Sequence, residues 1–302
     1  MLTLIMLVCI VGAYDTRFFA VHTLLVLVSD TMTLFIMASG CTFVILMGGI
    51  DLSLQSVASM TSVILATLLP EYGYLAIPAA LAGGLAAGLL SGASHTVLRI
   101  PSFIATLAVG GIVATAALIF SQTRSVNIAV GTREAYLHWI TGESLGVPNE
   151  IFIGLAVLIG LSLVLEMTPF GRFTASIGAA ERAVFASGIH VDRIKLVAFA
   201  ISGLMAGLSG IVMAGRISSG SPTLANEFLL PAIAAVIVGG TALTGGVGSV
   251  WRTFIGALII AVIRIGMTFM GVSVFAQQIV FGLVLIAAVA VTIDRTRVKV
   301  VK

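Results

Sequence analysis

Residues 168–195, TPFGRFTASIGAAERAVFASGIHVDRIK, form a long polar stretch between two apolar runs, and the rest of the chain is arranged around them. Four of the fifteen Lys and Arg residues lie in this stretch. Residues 176–187 are predicted to form a short helix, which Gly188 ends as its C′ glycine. Asp192 stands where the N-cap of the next apolar helix is expected.

The predicted short helix carries small side chains over much of its surface. They are Ala179, Ala180, Ala183 and Ala186. A compact helix with a small-residue face, held at a membrane surface, suits insertion into a cleft on a soluble partner. An ordinary connection between two helices explains the same spacing equally well.

The composition is that of a membrane protein. Of the 302 residues, 59% are hydrophobic and only 9% are charged, and the mean hydropathy is +1.20. The apolar runs are about 18 to 25 residues long and do not alternate, so they indicate helices that satisfy their own backbone in hydrocarbon. We therefore predict an all-α polytopic membrane protein with a single transmembrane domain over residues 1–302.

About ten transmembrane helices are predicted, some of them broken by glycine. Their approximate bounds are 1–13, 20–47, 54–69, 75–95, 102–120, 150–167, 196–214, 230–249, 253–270 and 275–293. Residues 1–13 would cover only about 20 Å as a helix. Because no basic region precedes them, we interpret them as a first span and not as a signal peptide.

The connections between these spans differ in charge on the two sides of the membrane. One set carries ten Lys and Arg residues and the other carries four. Cytoplasmic loops are enriched in Lys and Arg, so we expect both termini and residues 168–195 in the cytoplasm. The ten include four residues of the C-terminal tail: Arg295, Arg297, Lys299 and Lys302.

The longest connection on the outer side covers residues 121–150 and carries acidic and aromatic side chains. It could pack as a lid or as a docking surface for an external partner. A solvated loop is the alternative.

Two glycine-broken segments resemble each other: VILMGGIDLS at 44–53 and VIVGGTALT at 236–244. Glycine pairs interrupt a helix and free backbone groups, which is tolerated at membrane depth only inside protein or beside a water-filled cavity. Such segments at corresponding places in two halves point to a transport path, although a simple turn between spans is the alternative. The candidate path residues are Gly48, Gly49, Asp51, Ser53, Gly239, Gly240, Thr241 and Thr244.

Asp51 has a second interpretation. It follows the first glycine pair, so it could cap the start of the third predicted helix. Ser53 is the rival cap. Capping and a direct role in the path both remain open.

Two ionisable residues, Asp30 and Arg264, lie inside predicted spans. Charged groups within a membrane are costly and usually paired, so we expect a candidate charge pair between them. Alternatively, the Arg264 side chain extends outward toward the lipid headgroups. Gln277 and Gln278 open the last span near the same level and could hydrogen-bond a polyol or a neighbouring helix.

Some of the 33 glycines recur at four-residue spacing. They are Gly84, Gly88 and Gly92 in the fourth span and Gly203 and Gly207 in the seventh. Small residues at this spacing let helix backbones approach closely in a membrane, so we predict helix packing there.

Several kinds of chemistry are not indicated. The four histidines show no metal-ligand spacing, and Cys9 and Cys41 lie in apolar stretches, which argues against a disulfide. There is no GxxxxGK[ST] phosphate-binding loop and no arrangement of a nucleophile with a base. We therefore expect no catalytic residue, no metal site, no cofactor bound by this chain and no nucleic-acid partner.

Together, these segments resemble those of the permease subunit of ribose-type, simple-sugar ABC importers. This family lies within the superfamily of sugar and branched-chain amino acid permeases. Four motifs carry the resemblance, and together they sample nearly the whole chain. They are VILMGGIDLS at 44–53, RIPSFIATLA at 99–108, IGAAERAVFASGI at 177–189 and LLPAIAAVIVGGTALTGGVGS at 229–249.

The resemblance implies a set of partners. It implies a homodimer, or a heterodimer of two like permeases, in the bacterial inner membrane, with a single path at the interface. Two cytoplasmic ATPase subunits would bind and hydrolyse ATP with Mg²⁺, and a periplasmic binding protein would deliver the sugar. Residues 177–189 would be the coupling helix, with Ala179, Ala183 and Ala186 on its docking face and Gly188 at its end.

The sequence departs from the family pattern at Leu54, Gln55 and Ala180. Two other kinds of transporter stay open. One is a sibling importer of nucleosides or branched-chain amino acids. The other is an ion-driven secondary transporter, in which Asp30 and Arg264 would be the coupling charges.

Overall fold

The computed structural model describes residues 2–292 and consists of helices joined by short connections. The tail residues Arg295, Arg297, Lys299 and Lys302, on which part of the charge asymmetry rests, lie outside the described residues. The α-helices are α1 (Leu2–Tyr14), α2 (Val21–Leu46), α3 (Leu54–Tyr72), α4 (Ala76–Thr96), α5 (Ser102–Phe120), α6 (Val130–Thr141), α7 (Asn149–Met167), α8 (Pro169–Ala186), α9 (Val191–Ile217), α10 (Leu229–Val238), α11 (Val250–Phe269) and α12 (Val274–Thr292).

The remaining elements are short. Two 3₁₀ helices, η1 (Thr16–Phe19) and η2 (Gly73–Leu75), precede α2 and α4. The strands form two antiparallel pairs, β1 with β4 and β2 with β3. Their bounds are β1 (Val126–Asn127), β2 (Glu143–Ser144), β3 (Val147–Pro148) and β4 (Ser219–Gly220).

The helical membrane character of the fold is confirmed, but the count of about ten spans is not. Within the described residues, six stretches are long and apolar enough to cross a membrane. One of them, Leu54–Thr96, contains both α3 and α4. Three further apolar helices, near the start, over α10 and over α12, are shorter.

α9 lies at the centre, in contact with α2, α3 and α4. Added side-chain carbons at Gly84 and Gly88 of α4 would meet the backbone of Gly203 in α9. The predicted close packing of the two glycine-patterned helices is therefore confirmed. With no side chains between them, the backbones themselves are in contact.

The predicted span over 230–249 is wrong in length. α10 contains ten residues, which is about 15 Å of helix, half the thickness of the hydrocarbon core. Gly240, Gly245 and Gly246 have φ of 97°, 83° and 83°. These left-handed conformations end the helix at Val238 and leave residues 239–249 irregular.

The connection over residues 121–150 is packed and is not a solvated loop. Its helix α6 buries Leu137 and Ile140 completely in a core cluster that includes residues of α3 and α9. Tyr74, which follows α3, makes an edge-on ring contact with Tyr136. We call the side of the molecule that carries α6 the α6 face, and the opposite side, which carries α8, the α8 face.

Candidate functional site

α8 is longer than the predicted helix over 176–187, because it begins at Pro169. The Thr168 hydroxyl caps it by accepting a hydrogen bond from the Gly171 N–H. The backbone departs from helical geometry at Ala180, with φ −160° and ψ 73°, so α8 is kinked there. It ends as predicted, with Gly188 in a left-handed conformation at φ 81°.

The segment beyond the kink is exposed. The small residues Ala179, Ala180, Ala183 and Ala186 are all exposed, whereas Val184 is buried. Sequence reasoning missed Phe185, whose surface is 73% exposed. A large exposed aromatic ring near the end of a kinked helix indicates a contact surface on this face.

The expected N-cap of α9 is corrected by the structure. α9 begins at Val191 after an N-cap at His190, so Asp192 lies in the first turn of the helix. There its carboxylate faces the positive end of the helix dipole. Nearby, the Lys195 ammonium lies 2.7 Å from the Glu181 carboxylate and ties α9 to the exposed part of α8.

The base of α8 lies against both glycine-broken segments. A side-chain carbon at Gly178 would collide with the carbonyl oxygen of Leu46 and the amide nitrogen of Gly246. Those two atoms are themselves hydrogen-bonded at 2.8 Å. A side-chain carbon added at Gly245 would lie 2.7 Å from the Gly48 amide nitrogen. We call this meeting point of Leu46, Gly48, Gly178, Gly245 and Gly246 the glycine junction.

The first broken segment, 44–53, is enclosed in protein. Asp51 and Ser53 are each 1% exposed. One carboxylate oxygen of Asp51 accepts hydrogen bonds from the amide and hydroxyl of Ser53, and the other accepts one from the Ser202 hydroxyl at 2.7 Å. Asp51 is thus a buried acceptor that ties the segment to α9.

Backbone donors in the same segment are satisfied by α5. The Ile50 amide donates to the Ser102 hydroxyl and the Leu52 amide to the Thr106 hydroxyl, both at 3.0 Å. Ser53 precedes α3 as its N-cap residue but makes no side-chain cap bond. Neither candidate therefore caps α3 with its side chain.

The second broken segment is partly open. Gly240 and Thr244 are exposed. Thr241 is fully buried, and its hydroxyl has no hydrogen-bond partner among the described residues. Gly239 packs against the carbonyl of Arg252 in α11. Of the candidate residues, Gly48 and Thr244 lie close together near α8, and the most polar ones, Asp51, Ser53 and Thr241, are buried.

A third irregular segment was not expected. Residues 218–228, which we call the re-entrant segment, connect α9 to α10 by strand β4 and consecutive turns. The amide of Ser221 donates to the Ser62 hydroxyl at 3.2 Å, and that of Ala225 to the Ser59 hydroxyl at 3.0 Å. Ser62 lies ten residues before the end of α3, about 15 Å along the helix axis.

An ion-pair network lies beside the re-entrant segment. Arg216, in the last turn of α9, has its guanidinium 2.5 Å from the Asp30 carboxylate and 3.4 Å from that of Glu150. The Ser29 hydroxyl donates to the second oxygen of Glu150. A space of about 290 Å³ lies next to this network and is lined by Arg133, Glu150 and Arg216, among others.

The candidate pair of Asp30 with Arg264 is corrected. Asp30 pairs with Arg216 instead. The Arg264 guanidinium lies over the Phe228 ring, 4.7 Å from its centre. Among the described residues no carboxylate lies within 4.0 Å of it, although the charges of Asp30 and Glu227 act on it.

The two glutamines also bind this region. The Gln278 amide donates to the backbone carbonyl of Glu227 at 3.1 Å. Gln277 donates to the Val272 carbonyl at 3.3 Å and to the Thr268 hydroxyl at 3.4 Å. Gln277 therefore bonds the neighbouring helix α11, one of the two predicted roles, whereas Gln278 bonds the re-entrant segment.

These features define a polytopic helical membrane protein with an exposed kinked helix on one face and a charged, non-helical segment among its long helices. The chain belongs to the family described as branched-chain amino acid transport system / permease component, whose model matches residues 23–289. As a transport permease, it is a multi-pass membrane protein, in agreement with its six long apolar stretches.

Curated relatives cover nearly the whole chain. The ribose import permease protein RbsC of Escherichia coli K12 is 35% identical over 96% of this chain and 92% of its own length. The fructose import permease protein FrcC of Rhizobium meliloti is 30% identical over 91% and 79%. The L-arabinose transport system permease protein AraH of Escherichia coli K12 is 35% identical over 83% and 76%. No solved structure gives a significant match.

Proposed function

We propose that this chain is the membrane-spanning permease subunit of an ATP-driven ABC importer that carries a monosaccharide or a similar polyol across the inner membrane. One observation carries the proposal. Relatives with 30% to 35% identity, aligned over most of this chain, are named for the import of ribose, fructose and L-arabinose. Because the match extends along the chain, it includes the segments that contact solute and partners.

In this proposal, α8 is the coupling helix. Two cytoplasmic ATPase subunits bind and hydrolyse ATP with Mg²⁺ and dock on Ala179, Ala183 and Ala186, and Gly188 fixes the turn that ends the docking surface. The exposure of all three alanines and of Phe185 supports this role. A cleft of about 610 Å³ beside α8, lined by Arg99, Arg182 and Lys195 among others, offers room for partner side chains.

The orientation follows from the same assignment. The α8 face and both termini lie in the cytoplasm, and the α6 face receives the periplasmic sugar-binding protein. Two permease chains, identical or paralogous, form one path. This orientation agrees with the excess of Lys and Arg in the connections on the α8 side.

The glycine junction gives coupling a physical route. Backbone atoms of α8 touch those of both broken segments, without side chains between them. A displacement of α8 by the ATPase therefore moves the end of α2 and the loop before α11 together, because closely packed backbones transmit shifts and do not absorb them. Gly48, Gly49, Gly239 and Gly240 then act as the deformable links next to the path.

Reconstituted uptake tests the proposal. The permease, its ATPase and its binding protein are placed in liposomes, and entry of ribose, fructose and L-arabinose is measured with and without ATP. We expect uptake of at least one sugar that requires ATP and all three components. Uptake of branched-chain amino acids or nucleosides alone, or uptake driven by a bare ion gradient, would contradict it and support the corresponding rival function.

A further inference from the structure

The re-entrant segment, residues 218–228, is non-helical backbone inside the helical bundle. Two observations place it there. Its amides reach Ser59 and Ser62 in the interior of α3. The helix that follows it, α10, has only ten residues, about 15 Å, so the chain re-enters a helix half-way through the bundle.

Such backbone must either be enclosed in protein or face water, because hydrocarbon cannot satisfy its polar groups. One side of the segment is enclosed by α3 and by strand β1. Directly after β1, the Ile128 amide donates to the Ser218 carbonyl at 2.8 Å. The other side is open, since Thr223 and Asn226 are exposed. An open polar side at this depth indicates contact with water and not with lipid.

Half-buried charges beside the segment lead to the same conclusion. The paired side chains of Asp30 and Arg216 keep 27% and 30% of their surface exposed. Arg264 lies five residues before the end of α11, about 8 Å from it. A half-exposed charged side chain this far inside a transmembrane helix is costly in lipid, and such side chains are usually found beside a water-filled cavity.

The side chains in and beside the re-entrant segment have a chemistry that suits a neutral polyol. Three acidic and three basic side chains lie in or beside it, so their formal charges cancel. Carboxylates, guanidinium groups and the Asn226 amide hydrogen-bond to hydroxyl groups, and Phe228, which is partly exposed, adds an apolar edge for sugar C–H groups. The charged groups are Asp30, Glu150, Glu227, Arg133, Arg216 and Arg264.

We infer that the re-entrant segment, with Arg264 held over Phe228 and Asp30 held by Arg216, forms the wall of the translocation path on which the polyol is bound in passage. The inference rests on the proposed function and deepens it. It assigns solute contact to Asn226, Glu227, Phe228 and Arg264. It assigns the two glycine-broken segments to the transmission of movement.

Thiol labelling tests whether the wall faces water. In a Cys9→Ala background, in which the remaining Cys41 is fully buried, Thr223→Cys and Asn226→Cys are treated with a membrane-impermeant thiol reagent in the assembled transporter. Ile159→Cys in α7 is the matched lipid-facing control, since Ile159 is 61% exposed. We expect the first two to react at least about tenfold faster, because the reactive thiolate requires water. Equal rates at positions 159 and 226 would overturn the inference.

Transport by variants tests whether the wall binds the solute. Arg264→Gln, Glu227→Gln and Phe228→Leu are compared with Glu166→Gln, an exposed glutamate near the end of α7. We expect about tenfold fewer sugar molecules carried per ATP hydrolysed in the first three, and an unchanged ratio in the control, since one lost hydrogen bond or ring contact with the solute is worth about one such factor.

The two levels of the proposal fail in different ways. If the wild-type transporter carries sugar and the wall variants carry it as well as Glu166→Gln does, the wall is wrong and the sugar importer stands. If the wild type carries none of the three sugars, the sugar importer is wrong. Thiol labelling still decides in that case whether residues 218–228 face water.

Discussion

Gly178 of α8 packs directly against the carbonyl oxygen of Leu46, the last residue of α2. No side-chain atom fits between them, because the Gly246 amide donates to the same oxygen. α8 is therefore joined to α2 and to the loop that precedes α11 through backbone atoms alone. This contact connects the exposed face of the molecule to its interior.

Gly178→Ala should disrupt this junction. The added carbon overlaps backbone atoms that cannot rotate away, so we expect a loss of about 1–3 kcal/mol of stability and weaker stimulation of ATP hydrolysis by loaded binding protein. Thermal unfolding and ATPase assays measure both effects. Gly160→Ala in α7 is the control, since nothing lies within 4 Å of its new carbon. Equal behaviour of the two variants would refute the tight junction.

Gly188→Ala tests the turn after α8. The position has φ 81°, so alanine is strained there by about 1–2 kcal/mol. We expect reduced coupling to the ATPase and partial recovery in Gly188→Asn, because asparagine tolerates this conformation. Gly146→Ala in the 121–150 connection, at φ 74°, imposes similar strain on the α6 face. If both alanine variants reduce coupling equally, the effect is general destabilisation and not loss of docking.

Phe185→Ser should weaken assembly with the ATPase subunits without destabilising the permease alone, because its ring is exposed. A ring buried in a partner's pocket contributes at least about 2 kcal/mol to binding. Phe185→Leu keeps an apolar side chain and should retain much of the affinity. Co-purification and titration of the ATPase measure the change. Undiminished affinity in Phe185→Ser would remove Phe185 from the docking surface.

Asp30 should couple energetically to Arg216 more strongly than to Arg264. A double-mutant cycle of Asp30→Asn with Arg216→Gln is expected to give an interaction energy of about 1–3 kcal/mol. The cycle with Arg264→Gln should give less, because Arg264 stacks on Phe228 instead. Denaturant unfolding in detergent measures both. A larger coupling to Arg264 would contradict the pairing described for the network.

Ser62→Ala should release the re-entrant segment from α3. The Ser221 amide loses its acceptor, and leaving this partly buried amide unsatisfied costs about 1 kcal/mol. Ser91→Ala in α4 is the matched control, since Ser91 is equally buried and its hydroxyl has no partner among the described residues. That change should be neutral or slightly stabilising. Thermal unfolding distinguishes the two, and a harmless Ser62→Ala would show that the segment is held by other contacts.

Local rules predicted the features that depend on local sequence. The glycine after α8 and the glycine faces of α4 and α9 follow from the conformational freedom and small size of the residue itself. The start of α8 could also have been predicted, because Thr168 followed by Pro169 is a common helix beginning.

The features that depend on tertiary contacts were missed. The kink at Ala180 has no local signal, since alanine favours a helix. The re-entrant segment falls between the two predicted spans 196–214 and 230–249, so the sequence alone places it in a connection. The hydroxyls that hold it belong to Ser59 and Ser62, far away in the sequence. A usable signal was present in the short apolar run between Glu227 and the glycines that follow Val238.

α10 has an unusual position, with an irregular segment at each end. One end begins beside Phe228 and the other stops at Gly239, which presses on α11. Ten helical residues form a stiff rod of about 15 Å. A displacement of one end of such a rod is transmitted to its other end, so Phe228 and Gly239 move together.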